Sequence, residues 1–312
     1  MNNLPTHKGF EELTYLALNS DVAAAVESGL FESAWDHFLK HGRRENRLGV
    51  SSELLASIEL LTAIESNLCN LPIPPEDLWE IGGGDFHKIG FNFLKLFVHL
   101  GSLSPNAIVL DIGSGVGRMA IPLTQYISSQ GRYEGLEIYE PAVTWCKEAI
   151  SSKYPNFEFQ HADIYNGHYN PSGNYDPATF KFPYRDSTFD FVFLTSVFTH
   201  LMKESADNYL SEISRVLKPE GTCFSTFFLL NSESQKLIAD GKSSCSFIDK
   251  GDGSMIVSTS DPESAVAYDE EVIRQAHKIN NLAIESIYYG AWPGRDFFAD
   301  YQDIIVSTKE KA

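Results

Sequence analysis

The sequence predicts an α/β fold: a seven-stranded, mostly parallel sheet with helices on both faces, preceded by a small all-helical region. Two observations carry this prediction. From residue 106 onward, short apolar segments rich in β-branched and aromatic residues alternate with amphipathic segments of helical period. Before residue 70, apolar residues recur at the three- and four-residue spacing of helices instead.

The N-terminal region is predicted to form two or three short helices before residue 50. Asn19, Ser20 and Asp21 offer side chains that cap the start of a helix, and Gly29 and Gly42 stand where helices would end. Each helix is amphipathic, so the region needs a partner surface or a small core of its own.

A longer helix is predicted over residues 51–70, and three prolines interrupt regular structure just after it, near residues 71–76. We therefore divide the chain into an N-terminal helical region, 1–72, and a second domain, 73–312. The sequence YLALNSDVAAAVESGLFESAWDHFLKHGRRENR, residues 15–47, resembles a small helical module that recurs in bacterial proteins linked to cell surfaces and glycans. The module is either a helical cap packed on the second domain or a region that docks a partner protein.

The second domain is a series of strands and helices. Its strands are predicted from apolar runs bounded by turn residues, and they lie at 107–113, 133–138, 157–163, 189–196, 221–230, 282–290 and 301–309. Its helices are predicted from their amphipathic period, and they lie at 116–129, 141–154, 204–217 and 269–281. Pro141 suits a first helical turn, and KPEG closes the third of these helices. Residues 231–268 are polar and are expected to be irregular.

The composition disfavours several classes of function. The chain has 24 basic and 42 acidic side chains, a formal net charge of −18, so it repels nucleic-acid backbones and anionic lipid. No apolar run is long enough to span a bilayer, and the polar N-terminus lacks a signal-peptide core, so we expect a cytoplasmic protein. Four scattered cysteines without CxxC spacing predict neither a disulfide framework nor a zinc site, and we expect no metal.

The first strand runs into VLDIGSGVGR, in which Gly113, Gly115 and Gly117 follow Asp111. A nucleoside triphosphate loop requires a lysine after its glycines, and none follows here. The dinucleotide fingerprint GxGxxG is spaced differently from this GxGxG, and a carboxylate beside the turn disfavours phosphate. Asp111 suits a ligand with a positive charge and no phosphate, which favours S-adenosylmethionine over NAD.

Two further carboxylates stand at predicted strand ends. Glu137 ends the second strand about twenty residues past the glycines, where one carboxylate can accept hydrogen bonds from both hydroxyls of a ribose. Asp163 ends the third strand and can accept from the amino group of adenine. Ile138 and Ile164 can supply apolar walls for the purine ring. Each carboxylate has an ordinary alternative as a helix cap or turn residue.

With these motifs, residues 106–230 resemble a class I S-adenosylmethionine-dependent methyltransferase, and the helix and two strands that follow complete that family's Rossmann-like sheet. The resemblance implies the strand order 3-2-1-4-5-7-6, with the seventh strand antiparallel. It also implies that Asp111 and the three glycines hold the methionine end of the cofactor. Glu137 would hold the ribose, and Asp163 the adenine.

The resemblance also implies that the segment TSVFTH, from Thr195 to His200, meets the substrate, and we assign Thr195 to the cofactor. His200 is the candidate catalytic base, because an unperturbed histidine titrates close to physiological pH. Its alternative is to cap or pack the following helix. His87 and His161 are weaker candidates for the same role.

The connection between the third and fourth strands, residues 164–188, is longer than usual, and such connections are often functional lids. It carries six aromatic residues, namely Tyr165, Tyr169, Tyr175, Phe180, Phe182 and Tyr184. We expect one or two of these rings to contact the acceptor and the others to fix the loop to the fold.

The sequence is therefore interpreted as a methyltransferase acting on a small molecule or glycan, with transfer to oxygen and S-adenosylmethionine as cofactor. Two alternatives stay open. The chain could methylate a basic protein, docked through its N-terminal helices, or it could bind the cofactor without catalysis as a regulatory protein. An NAD-dependent oxidoreductase is disfavoured by the glycine spacing.

Overall fold

The computed structural model describes residues 10, 12, 15–16, 19–42, 44–45, 52–78, 83–296 and 298–311. Residues 17–18, 43 and 46–47 of the N-terminal module, and the first residue of the helix predicted at 51–70, lie outside the described residues.

Seven strands form the main sheet, in the order β10-β11-β5-β4-β1-β2-β3. Their bounds are β1 (Ile108–Ile112), β2 (Arg132–Glu137), β3 (Phe157–His161), β4 (Phe189–Leu194), β5 (Leu217–Phe227), β10 (Leu282–Tyr288) and β11 (Asp303–Lys309). β11 is antiparallel to both of its neighbours, and the other adjacent pairs are parallel. The expected α/β fold and its strand order are confirmed.

Helices cover both faces of this sheet. Their bounds are α1 (Ser20–Glu27), α2 (Ala34–His37), α3 (Ser52–Asn67), α4 (Phe86–His99), α5 (Ala120–Leu123), α6 (Glu140–Cys146), α7 (Lys203–Val216), α8 (Ser232–Ala239) and α9 (Glu270–Ile279). Short π-helical turns extend α2 through Phe38–Gly42 and α6 through Lys147–Ser151. Among the described helices, none is both long enough and apolar enough to cross a membrane.

The core has two layers because alternate strand residues face opposite sides of the sheet. On one side, Phe97 of α4 packs against Phe193 with ring centroids 4.4 Å apart. On the other side, Val192 of the same strand packs in a cluster with Leu210 and Ile213 of α7. Burying each such side chain stabilises the fold by roughly 1.5–3 kcal/mol.

The N-terminal region has a small core of its own, formed by Phe10, Tyr15, Val22, Ala34 and Phe38. In contrast, Leu61 and Ile64 of α3 belong to the core that also contains Phe97 of α4. The described contacts of α3 therefore join the main core, and the division at residue 72 stays a prediction.

The region 231–268, expected to be irregular, differs from that expectation. It contains α8, whose start is capped reciprocally by Asn231 and Ser234. It also contains β7 (Ile248–Asp249), β8 (Ser254–Ile256) and the first residues of β9 (Val266–Asp269), which with β6 (Leu229–Leu230) form a second sheet in the order β6-β9-β8-β7. These strands are short, β7, β8 and β9 pair as antiparallel neighbours, and only β9 pairs with β6, so the apolar runs that predict strands do not reveal them. We call residues 231–269 the insert.

The helix predicted at 116–129 is also shorter than expected, since α5 spans only Ala120–Leu123. Pro122 has no N–H to donate inside this helix. The chain then continues through tighter turns, in which Gln125 N–H donates to the Pro122 carbonyl and Tyr126 N–H to the Leu123 carbonyl.

Candidate functional site

A cavity of about 420 Å³ lies at the edge of the sheet where the parallel strands end. Its walls come from the turns after β1, β2 and β4, the connection after β3, helices α4 and α7, and the residues before β11. The antiparallel direction of β11 brings its beginning to this edge. Ligands in open α/β sheets bind at this position.

The glycine turn after β1 forms the floor of the cavity. Gly113 and Gly115 line it and have φ values of 78° and 51°, a region that disfavours other residues. A Cβ on Gly113 would lie 2.4 Å from Cγ2 of Val197, whereas a Cβ on Gly115 would meet nothing within 4 Å. Gly117 is not among the lining residues, and a Cβ there would lie 2.8 Å from Ile150, so this glycine serves packing.

Asp111 lines the cavity with a carboxylate that is only half satisfied. Its side chain is 1% exposed, Oδ2 accepts a hydrogen bond from the Tyr133 hydroxyl at 2.5 Å, and Oδ1 has no partner. Burial raises the pKa of Asp111 to about 8, and the nearby Glu137 carboxylate adds to this, while the Tyr133 hydrogen bond opposes it. A buried carboxylate oxygen without a partner is costly, and a ligand ammonium would satisfy it.

Glu137 lines the cavity at the end of β2 and is 5% exposed. Its Oε2 accepts from Gly115 N–H at 2.6 Å, and its Oε1 accepts from the N–H groups of Ile138 and Tyr139, each at 2.8 Å. Burial raises the pKa of Glu137, and these three backbone donors act against that rise. A carboxylate has about four acceptor positions, so one is left on Oε2 for a ligand hydroxyl.

Asp163 is not brought to this cavity. It lines a separate, open pocket near His161 and Tyr175, and its Oδ2 accepts from Asn174 Nδ2 at 2.5 Å. The Asn174 hydrogen bond is the main cause that lowers the pKa of Asp163. The next residue, Ile164, points the other way, is buried and lines the main cavity, because successive residues of an extended chain alternate in direction.

The apolar and polar residues predicted around the cofactor are otherwise together. Ile138, Ile164 and Thr195 all line the cavity with Asp111 and Glu137. His87 and His161 do not line it, and their Nε2 atoms lie 3.2 Å from the Pro72 carbonyl and 3.1 Å from the Ile138 carbonyl, respectively.

His200 lies on the opposite side of the cavity, in a short 3-10 turn after β4. Its Nδ1 is 2.8 Å from the carbonyl oxygen of Glu263. A carbonyl only accepts, so Nδ1 carries the proton and Nε2 is left as an acceptor. Burial lowers the pKa of His200, so the ring is neutral at neutral pH. A neutral imidazole with a free Nε2 is equipped to accept a proton.

Several residues of this half were missed from the sequence. Gln302 Nε2 donates to Ser196 Oγ at 2.9 Å, and Gln302 Oε1 accepts from Thr226 Oγ1 at 2.6 Å. Tyr209 and Tyr301 add aromatic walls. The resemblance implied an antiparallel seventh strand, and such a strand begins at this edge of the sheet. Tyr301 and Gln302, which stand just before it, could therefore have been predicted. The α7 position of Tyr209 gave no such signal.

Of the six aromatic residues in the 164–188 connection, Tyr165 and Tyr169 line the main cavity, whereas Tyr175 and Phe180 line the pocket beside Asp163. Phe182 is buried in the core. Among the described residues, no group of three or more His, Cys, Asp or Glu side chains is arranged to hold a metal ion.

This donor set suits S-adenosylmethionine. The unpartnered Asp111 Oδ1 matches an ammonium, the remaining acceptor position of Glu137 matches a ribose hydroxyl, and the isoleucine walls match a purine. No cationic nest for a phosphate is formed by the glycine turn, which has Asp111 at its base.

Comparisons with known proteins extend this geometry. A family model described as a methyltransferase domain matches residues 110–225. The chain is 30% identical over 164 residues to the protein-lysine N-methyltransferase EFM4 of Saccharomyces cerevisiae, a match that covers 52% of this chain and 68% of that protein.

Two solved structures are also similar to the chain. A protein from Pyrococcus horikoshii OT3 has a TM-score of 0.51 and 18% identity, covering 74% of this chain and 94% of that one. Magnesium protoporphyrin IX methyltransferase from Synechocystis PCC 6803, with bound SAH, has a TM-score of 0.46 and 18% identity, covering 75% and 92%. The first likeness concerns the fold.

Proposed function

Because the chain belongs to the class I S-adenosylmethionine-dependent methyltransferases, we propose that it methylates a hydroxyl group of a small molecule or glycan, with His200 as the base. The enzyme class and the cofactor are the premise. The acceptor, its oxygen atom and the roles of individual residues are the proposal. The observation that carries it is that His200 lines the cavity and donates its Nδ1–H to the Glu263 carbonyl, which leaves Nε2 as the acceptor of a neutral ring.

The cofactor half is proposed as follows. Asp111 Oδ1 accepts from the ammonium, and Glu137 Oε2 accepts from a ribose hydroxyl. Ile138 and Ile164 flank the purine, and Thr195 lies beside the reacting end. Gly113 and Gly115 permit close approach of the backbone to the cofactor, while Gly117 allows the turn to pack against Ile150. Asp163 lines a separate pocket, so it could accept from adenine only if its part of the connection moved to the main cavity.

The bound cofactor supplies an activated methyl group, so the chain mainly has to orient the acceptor, exclude water and remove a proton. His200 receives the acceptor's hydroxyl proton at Nε2, and its Nδ1–H stays bonded to the Glu263 carbonyl. Tyr165, Tyr169 and Tyr301 line the acceptor half of the cavity and limit access of water.

A second candidate is methylation of an amine on a basic protein, and two observations favour it. The relative from Saccharomyces cerevisiae is a protein-lysine methyltransferase by name. The net charge of −18 favours a basic partner. His200 would then take a proton from the acceptor's ammonium, and the N-terminal helices would provide a docking surface.

One experiment separates these candidates. The protein is incubated with S-adenosylmethionine carrying a labelled methyl group and a lysate of the source organism, and the lysate is then divided into metabolite, glycan and protein fractions. We expect label in a metabolite or glycan fraction, on oxygen by mass spectrometry. Label on a lysine of a protein would replace the first candidate by the second. Binding of S-adenosylhomocysteine without any label transfer would contradict both and indicate a cofactor-binding protein.

A further inference from the structure

One residue of the insert makes two separate contacts with the residues around the cavity. Glu263 is 8% exposed and stands in a short 3-10 turn, Pro262–Ser264, just before β9. Its backbone carbonyl accepts from His200 Nδ1 at 2.8 Å. Its carboxylate accepts from Gly167 N–H at 2.5 Å. One residue of the insert therefore holds both the candidate base and a turn that follows β3.

The turn held by Glu263 forms part of the cavity wall. Residues 165–169, which we call the cover turn, include Tyr165, Asn166 and Tyr169 among the lining residues. The cover turn is rigid in itself, because Asn166 Oδ1 accepts from the N–H groups of His168 and Tyr169, at 3.1 and 2.8 Å. The cover turn thus behaves as one unit whose position depends on its outside contacts.

The cover turn is held by its own connection, where Tyr165 N–H donates to the Tyr175 carbonyl at 2.8 Å and Asn166 pairs with Asn170, and by contacts to His200 and to the insert. Asn166 Nδ2 donates to the His200 carbonyl at 3.1 Å, and the Tyr169 ring meets the His200 ring edge-on at 5.2 Å. His168 Nδ1 lies 2.8 Å from Asp261 Oδ2 and so donates to it. This last pair is half exposed and contributes little by itself. The Glu263 carboxylate, which is itself buried, is the stronger connection, because a hydrogen bond to a charged acceptor is worth more than an exposed ion pair.

The segment that carries Glu263 is itself firmly anchored. Val266–Asp269 is β9, which pairs with both β6 and β8, and the Tyr268 hydroxyl donates to the Leu201 carbonyl, next to His200. The position of Glu263 is therefore set by the second sheet and does not depend on the cover turn.

We propose that Glu263 is a positioning residue that fixes His200 in its Nδ1–H form, with Nε2 facing the cavity, and holds the cover turn against the same ring. This inference rests on the proposed role of His200 as base. By this inference the insert completes the acceptor half of the site. The insert lies outside residues 110–225, the part of the chain that the family model matches.

The test uses the full chain labelled with 15N-histidine, so that the two ring nitrogens of each of its nine histidines report their protonation. His200→Gln identifies the signals of His200. The titratable groups that face His200 include His168 and Tyr169 of the cover turn and Asp261 and Glu263 of the insert. In the wild type, we expect one set of His200 signals with Nδ1 protonated and Nε2 unprotonated at pH 7.

Glu263→Ala removes the carboxylate and leaves the backbone carbonyl. The backbone carbonyl stays in place, so we expect His200 to keep its Nδ1–H tautomer. Loss of the contact with Gly167 should free the cover turn and expose the His200 ring, so the His200 pKa should rise toward 6.5, its ordinary value, because burial is the main cause that lowers it. Methyl transfer into the lysate should fall about tenfold or more. Glu263→Gln keeps an acceptor oxygen for Gly167 and should retain the wild-type spectrum. Glu285→Ala, a matched change at an exposed carboxylate, should leave both readouts unchanged.

If Glu263→Ala does not fold, Glu263→Asp provides the test, because its carboxylate is too short to reach Gly167 while the charge is kept. A wild-type His200 pKa in whichever variant folds would overturn the inference, because the cover turn would then keep its place against His200 without the Glu263 carboxylate. Binding of S-adenosylhomocysteine is measured by calorimetry in every variant and should stay within about threefold of the wild type. If the wild type itself does not bind S-adenosylhomocysteine, the proposed function is contradicted. That outcome is distinct from a failure of the role of Glu263, which leaves this binding unchanged.

Discussion

The Tyr133 hydroxyl donates to Asp111 Oδ2 at 2.5 Å and leaves Oδ1 of the same carboxylate buried without a partner. Tyr133 is itself held by stacking on Phe157, with ring centroids 4.9 Å apart and 16° between the planes. The tyrosine therefore fixes the carboxylate while satisfying only one of its oxygens. If Asp111 binds the cofactor's ammonium as proposed, the acceptor is already in place and little ordering is needed on binding.

Asp111→Asn should weaken binding of S-adenosylhomocysteine by about 10- to 100-fold, the equivalent of a hydrogen bond between charged groups. The amide still accepts from Tyr133 through its oxygen, so the fold is kept, but it offers the ligand no negative charge. Calorimetric titration measures the change. Glu158→Gln, at an exposed position on β3, is the matched control and should bind like the wild type. Equal affinity of the two variants would contradict the role of Asp111.

The pH dependence of binding should follow the Asp111 pKa of about 8. Only the ionised carboxylate pairs with an ammonium, so the affinity of the wild type relative to Asp111→Asn should rise with pH and level off above that value.

The stability of the ligand-free protein should change in the opposite direction. The folded protein keeps a proton that the unfolded chain releases near pH 3.8, so this group's contribution to stability falls as pH rises to about 8. Urea unfolding at pH 6 and pH 9 measures the free energy of unfolding of the wild type and of Asp111→Asn. The same change with pH in both proteins would contradict the prediction.

His200→Gln should lower methyl transfer about 100-fold or more while leaving affinity for S-adenosylhomocysteine within about threefold. Burial lowers the pKa of His200, so the ascending limb of the wild-type rate against pH should have its midpoint below 6.5. His87→Gln is the control, because His87 does not line the cavity. Full transfer by His200→Gln would remove His200 from the mechanism.

Gly113 and Gly115 should respond differently to the same substitution. Gly113→Ala places a methyl 2.4 Å from Val197 and should lower the free energy of unfolding by about 1–3 kcal/mol, part of which Val197→Ala should restore. Gly115→Ala meets no neighbour within 4 Å and carries only the cost of its positive φ, about 1–2 kcal/mol. The methyl group of Gly115→Ala lies at the cavity. Gly115→Ala should therefore reduce cofactor affinity more than Gly113→Ala does once Val197 has repacked around the new methyl group. Thermal unfolding and calorimetry measure the two effects.

Asp303→Ala should lower the free energy of unfolding by about 3–5 kcal/mol, because it removes both the buried partner of Arg295, whose other carboxylate partner, Glu233, is exposed, and the acceptor of three further hydrogen bonds. Asp303 is fully buried at the start of β11, and Arg295, whose side chain is 5% exposed, donates to it at 3.1 Å. Leu229, Gly290 and Trp292 also donate to this carboxylate. Urea unfolding measures the loss, and Arg295→Met in the same background should recover part of it. If Arg295→Met recovers none of the lost stability, the loss comes from the three other hydrogen bonds to Asp303.

The sequence predicted the sheet well because strand ends carry local signals. Asp111 and Glu137 were found since each ends an apolar run, and parallel strands share an edge. Asp163 met the same criterion, yet it lies outside the main cavity, because alternation along the chain turns Ile164 inward in its place. Strand ends predict the edge of a sheet but leave the direction of each side chain open.

The rest of the site depends on long-range pairing that a single sequence does not display. Glu263 reaches Gly167, 96 residues away, and Gln302 reaches Ser196, 106 residues away. The only local signal in this region was the pairing of Asn231 with Ser234 at the start of α8, a capping pattern that the expectation of irregular structure overlooked.

The reversed direction of β11 has a consequence during protein synthesis. A growing chain that has not yet reached Gln302 already holds Asp111, Glu137 and His200, but it has neither the partner for the free edge of β5 nor one wall of the cavity. The pocket for the methyl donor therefore stays unfinished until this segment has been made and has paired with β5, and only then can the donor stabilise the protein. Until then, the exposed edge of β5 is open to unintended pairing.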